Sequence, residues 1–135
     1  CHLLSEQGIE PVIEMINGTD MPRFLVQNIA QAQEMLEAVK HPALKIQYDC
    51  YHMAMMGEDV LACLQENLAQ IGHIQFADCP NRHEPDTGDI AFQAIFDWLL
   101  HSNYQGFIAA EYKPKTHSNQ SLAWKNKYFS NDVNT

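Results

Sequence analysis

The sequence predicts an α/β protein with a parallel sheet and helices along its outer side. Three observations carry this. Short apolar runs alternate four times with segments of helical periodicity. The strand-like runs are apolar nearly throughout, as strands buried on both faces are. Each run also ends in a polar residue that an apolar core would not select. Together these describe consecutive β/α units, in the order βαβαβαβα.

The first strand is expected over Ile9 to Ile16, and Asn17-Gly18 follows it as a turn signal. Asp20 and Pro22 mark a helix start. Leu25, Ile29, Ala32, Leu36 and Val39 recur at spacings of four and three along one helical face, and Pro42 ends the helix. Leu44 to Tyr48 forms the second strand, and Val60, Leu61, Leu64 and Leu68 line its helix. The third strand runs from Ile71 to Ala77. A polar loop from Asp78 to Asp89 follows, with Thr87-Gly88-Asp89 read as a turn and helix cap. Ala91, Ile95, Trp98 and Leu99 belong to the next helix. Phe107 to Tyr112 forms the fourth strand, closed by Pro114. Leu122, Trp124 and Tyr128 suit a final helix, and the polar tail from Ser130 to Thr135 is expected to fray. Two architectures fit this order: an open doubly wound sheet, or half of an eight-stranded barrel.

Composition narrows the function classes. The 135 residues are 46% hydrophobic and 19% charged, an ordinary globular balance. A net charge of −9, from 17 acidic and 8 basic residues, opposes a nucleic-acid surface, which needs clustered Lys and Arg. No apolar stretch is long enough to span a membrane, and no signal segment opens the chain. The chain begins at Cys1, which hints at a fragment. Cys1, Cys50, Cys63 and Cys79 form no C-x-x-C pair, so structural zinc is not expected. Reduced thiols in a cytoplasmic protein fit them best, with Cys50 and Cys79 as small hydrophobes near strand ends.

The strand-end residues carry the chemistry. They are Glu14 in VIEMIN, Asp49 in QYDCYH, Gln75 and Asp78 in HIQFAD, and Glu111 in AEYKP. Glu14, Asp49, Gln75 and Glu111 are separated by 35, 26 and 36 residues, about one β/α unit each time. One such residue per unit, at the same strand end, places all four on one rim. In a barrel, that rim is where active sites sit. Taken singly, an Asp or Glu here reads as a helix N-cap or a solvated loop residue. Four in register read as a site. Three carboxylates and an amide converging on one point repel unless a cation joins them, and oxygen donors suit Mg²⁺ or Mn²⁺.

Neighbouring residues extend the site. His52 follows Asp49 by three positions and reads either as a substrate contact or as a structural histidine. His73 shares a face with Gln75 if the strand alternates. Arg82 is suited to bidentate binding of a substrate carboxylate, or is an exposed loop charge. Lys113 alternates with Glu111 toward the rim. Met53, Met55 and Met56 read as gap-fillers.

The segments IEMINGTDMP, KIQYDCYHM, HIQFADCPNRHEPDTGDI and AEYKP resemble hydroxypyruvate isomerases, within the xylose isomerase-like TIM barrels. The resemblance runs from Ile9 to Trp124. It implies that this chain is the C-terminal half of a TIM barrel, strands five to eight, forming one partial domain over residues 1–135. It implies that Glu14, Asp49, Gln75 and Glu111 are the metal ligands and that Glu14 and Glu111 are the acid/base pair. Gln75 stands where related epimerases often carry His. His52 and Arg82 occupy substrate-contacting positions, and Arg82 or Lys113 would hold the substrate carboxylate.

The implied reaction interconverts hydroxypyruvate and tartronate semialdehyde through an enediolate, by proton transfer between adjacent carbons. Family barrels have about 250 residues. The first four units are therefore missing, and the chain is expected to need that half or to self-associate through its open edges. A related sugar or ketose epimerase, or an inactive truncated remnant, are the other readings. An endonuclease on this fold would need a histidine-rich multi-metal cluster and a basic groove, and the charge opposes that.

Overall fold

In the computed structural model of the chain, which describes residues 1–129, four parallel strands pair strictly in sequence order: β1 (Val12–Glu14), β2 (Lys45–Asp49), β3 (Ile71–Phe76) and β4 (Phe107–Ala110). This order decides between the two architectures. A doubly wound sheet reverses direction at a switch point, so consecutive strands are not all neighbours. Unbroken sequential pairing is the arrangement of a barrel wall.

The helices are α1 (His2–Ser5), α2 (Ile29–Val39), α3 (Cys50–Met55), α4 (Val60–Asn67), α5 (Phe92–His101), α6 (Ser118–Ser121) and α7 (Trp124–Phe129). A 3₁₀ turn over Leu68–Gln70 joins α4 to β3. No helix is long and apolar enough to cross a membrane, among the described residues. The tail expected to fray, residues 130–135, lies outside the described residues.

The two faces of the sheet divide the sequence by alternation. On the helix side, Ile46 and Tyr48 of β2 and Ile74 and Phe76 of β3 join one core with Ala32, Leu64, Phe92, Ile95, Phe96 and Leu99. The Phe76 ring meets Phe92, Phe96 and Trp124 edge-on at 5.7, 5.2 and 5.2 Å between centroids. Aromatic pairs favour that geometry because a ring's edge is positive and its face negative. On the opposite face, Gln47 and Asp49 of β2 lie in register with His73 and Gln75 of β3. His73 therefore does share a face with Gln75.

Several boundaries differ from the sequence reading. β1 and β4 are shorter than expected because both are outer strands. Val12 is 38% and Phe107 83% exposed, so little packing extends them. The helix expected from Asp20 and Pro22 begins instead at Ile29. The Asn28 side chain accepts from the Gln31 N–H at 3.0 Å, which is an N-cap. Upstream, Asn17 Oδ1 already binds the N–H groups of Thr19 and Asp20, and Arg23 sits at φ 69. Those residues are committed to a turn, and Leu25 is left exposed outside the helix. The helix stops at Val39, with Lys40 left-handed at φ 53, before Pro42.

Thr87-Gly88-Asp89 caps no helix either, since α5 begins after Ala91. Buried Asp78 gathers this loop. Its Oδ1 accepts from Cys79 N–H at 2.9 Å and Ile90 N–H at 3.1 Å, and its Oδ2 from Thr87 and Gly88 N–H at 2.9 and 2.8 Å. Gly88 passes so close to the Cys79 carbonyl that a Cβ there would lie 1.9 Å from its oxygen. Only glycine permits that approach.

Candidate active site at the strand ends

The C-terminal ends of the strands bring five of the predicted residues together. Asp49 closes β2, fully buried, and uses Oδ1 to cap α3 by accepting from Tyr51 N–H at 2.8 Å. The N-cap reading of Asp49 thus holds for Oδ1, which leaves Oδ2 free of that duty. Its Oδ2 is buried without a hydrogen bond. Because α3 begins immediately, His52 returns one turn later on the same side, 1% exposed, with Nε2 3.9 Å from Asp49 Oδ2 and also without a hydrogen bond. Glu14, half-buried at the end of β1, contributes a third group. Ligand atoms of Glu14, Asp49 and His52 all lie within 4.8 Å of one another.

Arg82 faces this group from the loop after β3. Its Nη2 donates to Glu111 Oε2 at 2.6 Å and lies 3.6 Å from Asp49 Oδ2. The main chain aims it. Arg82 N–H donates to Asp78 C=O at 2.9 Å, and Arg82 C=O accepts from Lys113 N–H at 2.8 Å, with Arg82 itself left-handed at φ 56. The guanidinium lies over the Tyr51 ring, 5.0 Å from its centroid. Glu111 continues the β3–β4 pairing, its N–H donating to Phe76 C=O at 2.9 Å.

The other two predicted residues sit differently. Gln75 is half-buried, and its Oε1 accepts from Gln47 Nε2 at 2.7 Å. Lys113 is exposed and is engaged through its main chain, to Arg82 and to His83 Nδ1 at 2.6 Å. Four residues that sequence reasoning passed over belong here. Gln47 alternates with Asp49 on β2, a signal that was available. Asn17, Asp20 and Tyr51 had none, because an Asn-Gly dipeptide reads as a turn. Tyr51 donates to Asp20 Oδ2 at 2.8 Å, and Asn17 contacts both Asp20 and His52.

Burial sets the electrostatics. It pushes the Asp49 carboxyl up to about 6, against the lowering effects of the Tyr51 N–H and Arg82. It raises Glu14 as well, with Gln47 offsetting part of that and Glu111 adding to it. It drops His52 to about 4, assisted by Arg82. Three carboxylates face one guanidinium, an excess of negative charge beside an unbonded buried oxygen. An oxygen-rich donor set of this kind fits a hard divalent cation.

A parallel β/α barrel wall with acidic groups at its carboxyl rim defines a class of protein, and comparison with known sequences and structures gives its family. The chain belongs to the xylose isomerase-like TIM barrel family, whose model matches residues 1–128. It is 37% identical over 127 residues to hydroxypyruvate isomerase of Escherichia coli, covering 94% of this chain and 49% of that protein. It is 37% identical over 122 residues to 2-oxo-tetronate isomerase of Cupriavidus necator, covering 90% and 47%. Among solved structures it is similar to a family 2 AP endonuclease of Brucella melitensis, with a TM-score of 0.88 and 29% identity, over 94% of this chain and 49% of the other. The chain spans about half the length of the curated relatives it matches.

Proposed function

We propose that this chain carries the active-site half of a metal-dependent isomerase acting on a small 2-keto acid with an adjacent hydroxyl, hydroxypyruvate being the reference substrate. One observation carries the reading. Asp49 Oδ2 is buried and unbonded between Glu14, His52 and Arg82, at the end of the sheet where barrel enzymes place their chemistry. The relatives named for isomerisation of hydroxypyruvate and of a 2-oxo acid support the substrate class.

Glu14, Asp49, Gln75 and Glu111 are the residues that would hold the cation, as Mg²⁺ or Mn²⁺. When bound, it supplies Lewis-acid stabilisation of negative charge on substrate oxygens. The chain's own groups do the rest. Converting hydroxypyruvate to tartronate semialdehyde moves a proton from C3 to C2 and the hydroxyl proton from O3 to O2, so the carbon-bound transfer requires one base at C3 and one acid at C2. Glu14 and Glu111 fill these roles from opposite sides of the rim, on β1 and just beyond β4. Arg82, already braced against Tyr51, binds the substrate carboxylate. The aromatic ring and the two main-chain bonds keep the guanidinium aimed inward during the exchange of Glu111 for substrate. Lys113 is the second candidate for that carboxylate. Four unpaired thiols suit the reducing cytoplasm.

The outer strands leave Val12, Phe107 and Ile108 uncovered. A complementary four-strand piece, either the remaining half of the barrel or a second copy, would cover them. A calorimetric Mn²⁺ titration of this chain beside Glu111→Gln tests the site, followed by an assay for tartronate semialdehyde. The expected result is about one ion per chain, weakened in the variant. Turnover should fall about 10²- to 10⁴-fold with unfolding unchanged. Near-normal turnover by Glu111→Gln refutes the assignment. If the chain binds no ion, the same titration on a length-completed barrel separates an unassembled rim from a wrong reading.

A further inference from the structure

The proximity of Glu14, Asp49 and His52 invites all three to be read as cation ligands. The hydrogen bonds on the far side of His52 argue otherwise. Asn17 is 1% exposed, and its amide has a settled orientation. Its Oδ1 accepts from Thr19 N–H at 3.1 Å and Asp20 N–H at 2.9 Å. Its Nδ2 lies 3.0 Å from the Asp20 carboxylate oxygen, which can only accept when ionised. The end of Asn17 facing His52 is therefore the NH₂ group, 2.7 Å from Nδ1. The Asn17 main-chain N–H points at the same nitrogen at 3.3 Å.

Two donors converge on His52 Nδ1, so that nitrogen must present its lone pair. A proton there would set donor against donor, which excludes the Nδ1–H tautomer and the doubly protonated ring alike. The ring proton is on Nε2. That nitrogen is buried, has no partner and is aimed at the space beside Asp49 Oδ2. A nitrogen that carries a proton has no lone pair for a metal.

We propose that Asn17 is a positioning residue that locks His52 as the Nε2–H tautomer, so that at the substrate-contacting place the resemblance already implies for it the ring acts as a donor and never as an acceptor. This rests on the isomerase reading for the identity of the substrate, but the tautomer itself does not. The predicted division of labour follows: carboxylates take the ion, and the imidazole takes an oxygen of the bound acid. The separation of 3.9 Å between Nε2 and Asp49 Oδ2 is too long for a direct hydrogen bond, so the donor stays available.

Long-range ¹H–¹⁵N correlation spectroscopy of the chain, with His52 assigned through its own Cβ, reads the tautomer directly. The expected spectrum has Nε2 as the protonated, pyrrole-type nitrogen and Nδ1 as the pyridine-type one. It should stay so when Mg²⁺ is added to saturation. Asn17→Asp keeps the acceptor for Thr19 and Asp20 but turns the facing donor into an acceptor, and should reverse the pattern. A native Nδ1–H tautomer, or loss of the Nε2 proton on adding Mg²⁺, overturns the proposal. An unchanged pattern in a folded Asn17→Asp chain overturns the role of Asn17. If that variant does not fold, the native spectrum still decides. Failure of Mg²⁺ to bind would count against the metal reading and leave the tautomer result standing.

Discussion

The middle of the sheet and its two outer strands are built to different standards. In β2 and β3, Ile46, Tyr48 and Asp49 are fully buried and Ile74 nearly so, and the loop after β3 hangs on the buried carboxylate of Asp78. In β4, Phe107 is 83% exposed and Ile108 39%, and the Glu111 side chain beyond it is 51% exposed. The candidate site straddles this divide. Asp49 and His52 stand on the firm centre, while Glu14 and Glu111 stand on strands with one open edge. The difference teaches that, on the proposed reading, the buried ligand Asp49 has a firm support of its own, while the proposed acid/base groups Glu14 and Glu111 depend on both outer strands being held in place.

Removing the centre's anchor should have the largest effect. Asp78→Ala strands four main-chain N–H groups, at a cost of about 3 kcal/mol, read as a shift in the urea midpoint. A loss below about 1 kcal/mol would show that the loop is held by something else.

Asp49→Asn should weaken Mg²⁺ or Mn²⁺ binding by at least about 100-fold, near 2.7 kcal/mol. Thermal stability without metal should hold or rise, because a buried charge with an unbonded oxygen has been neutralised. Unchanged affinity by calorimetry would move the ion away from the centre and erase the contrast.

A smaller effect is expected at the cap of α2. Asn28→Ala should cost about 1 kcal/mol in thermal unfolding without touching ion binding. If ion affinity fell with it, the helix would be coupled to the rim after all.

The smallest effect belongs to the edge. Phe107→Lys should change stability by less than about 0.5 kcal/mol if the edge is bare, and sedimentation should show less association than the native chain. A cost above about 1 kcal/mol would mean that Phe107 is covered in solution, and the two regions would differ less than they do in one chain.

Much of this was legible in the residue order, for a local reason. A strand end is marked by the change from apolar to polar, so Glu14, Asp49, Gln75 and Glu111 announced one rim without coordinates. Helix starts were less legible, because caps compete. Asp20 and Asn28 are both good N-cap residues, and only the turn held by Asn17 decided for Asn28. Thr87-Gly88-Asp89 failed as a cap for a related reason: the Thr87 and Gly88 N–H groups bind the Asp78 carboxylate, nine and ten residues upstream, and the Asp89 N–H binds the Cys79 carbonyl.

The sequence by itself determined the parallel β/α order, the sign of the charge at the rim and the oxygen-rich character of its side chains. These depend on periodicity and residue type, which are properties of the chain at short range. Only the tertiary structure decided that consecutive strands are neighbours, that Arg82 reaches Glu111 across 29 positions, and that Asn17 meets His52 across 35. Those contacts set which atom donates, which accepts and which is left unbonded. A hydrogen bond between distant segments leaves no periodic trace in the chain, because it depends on where folding places two side chains.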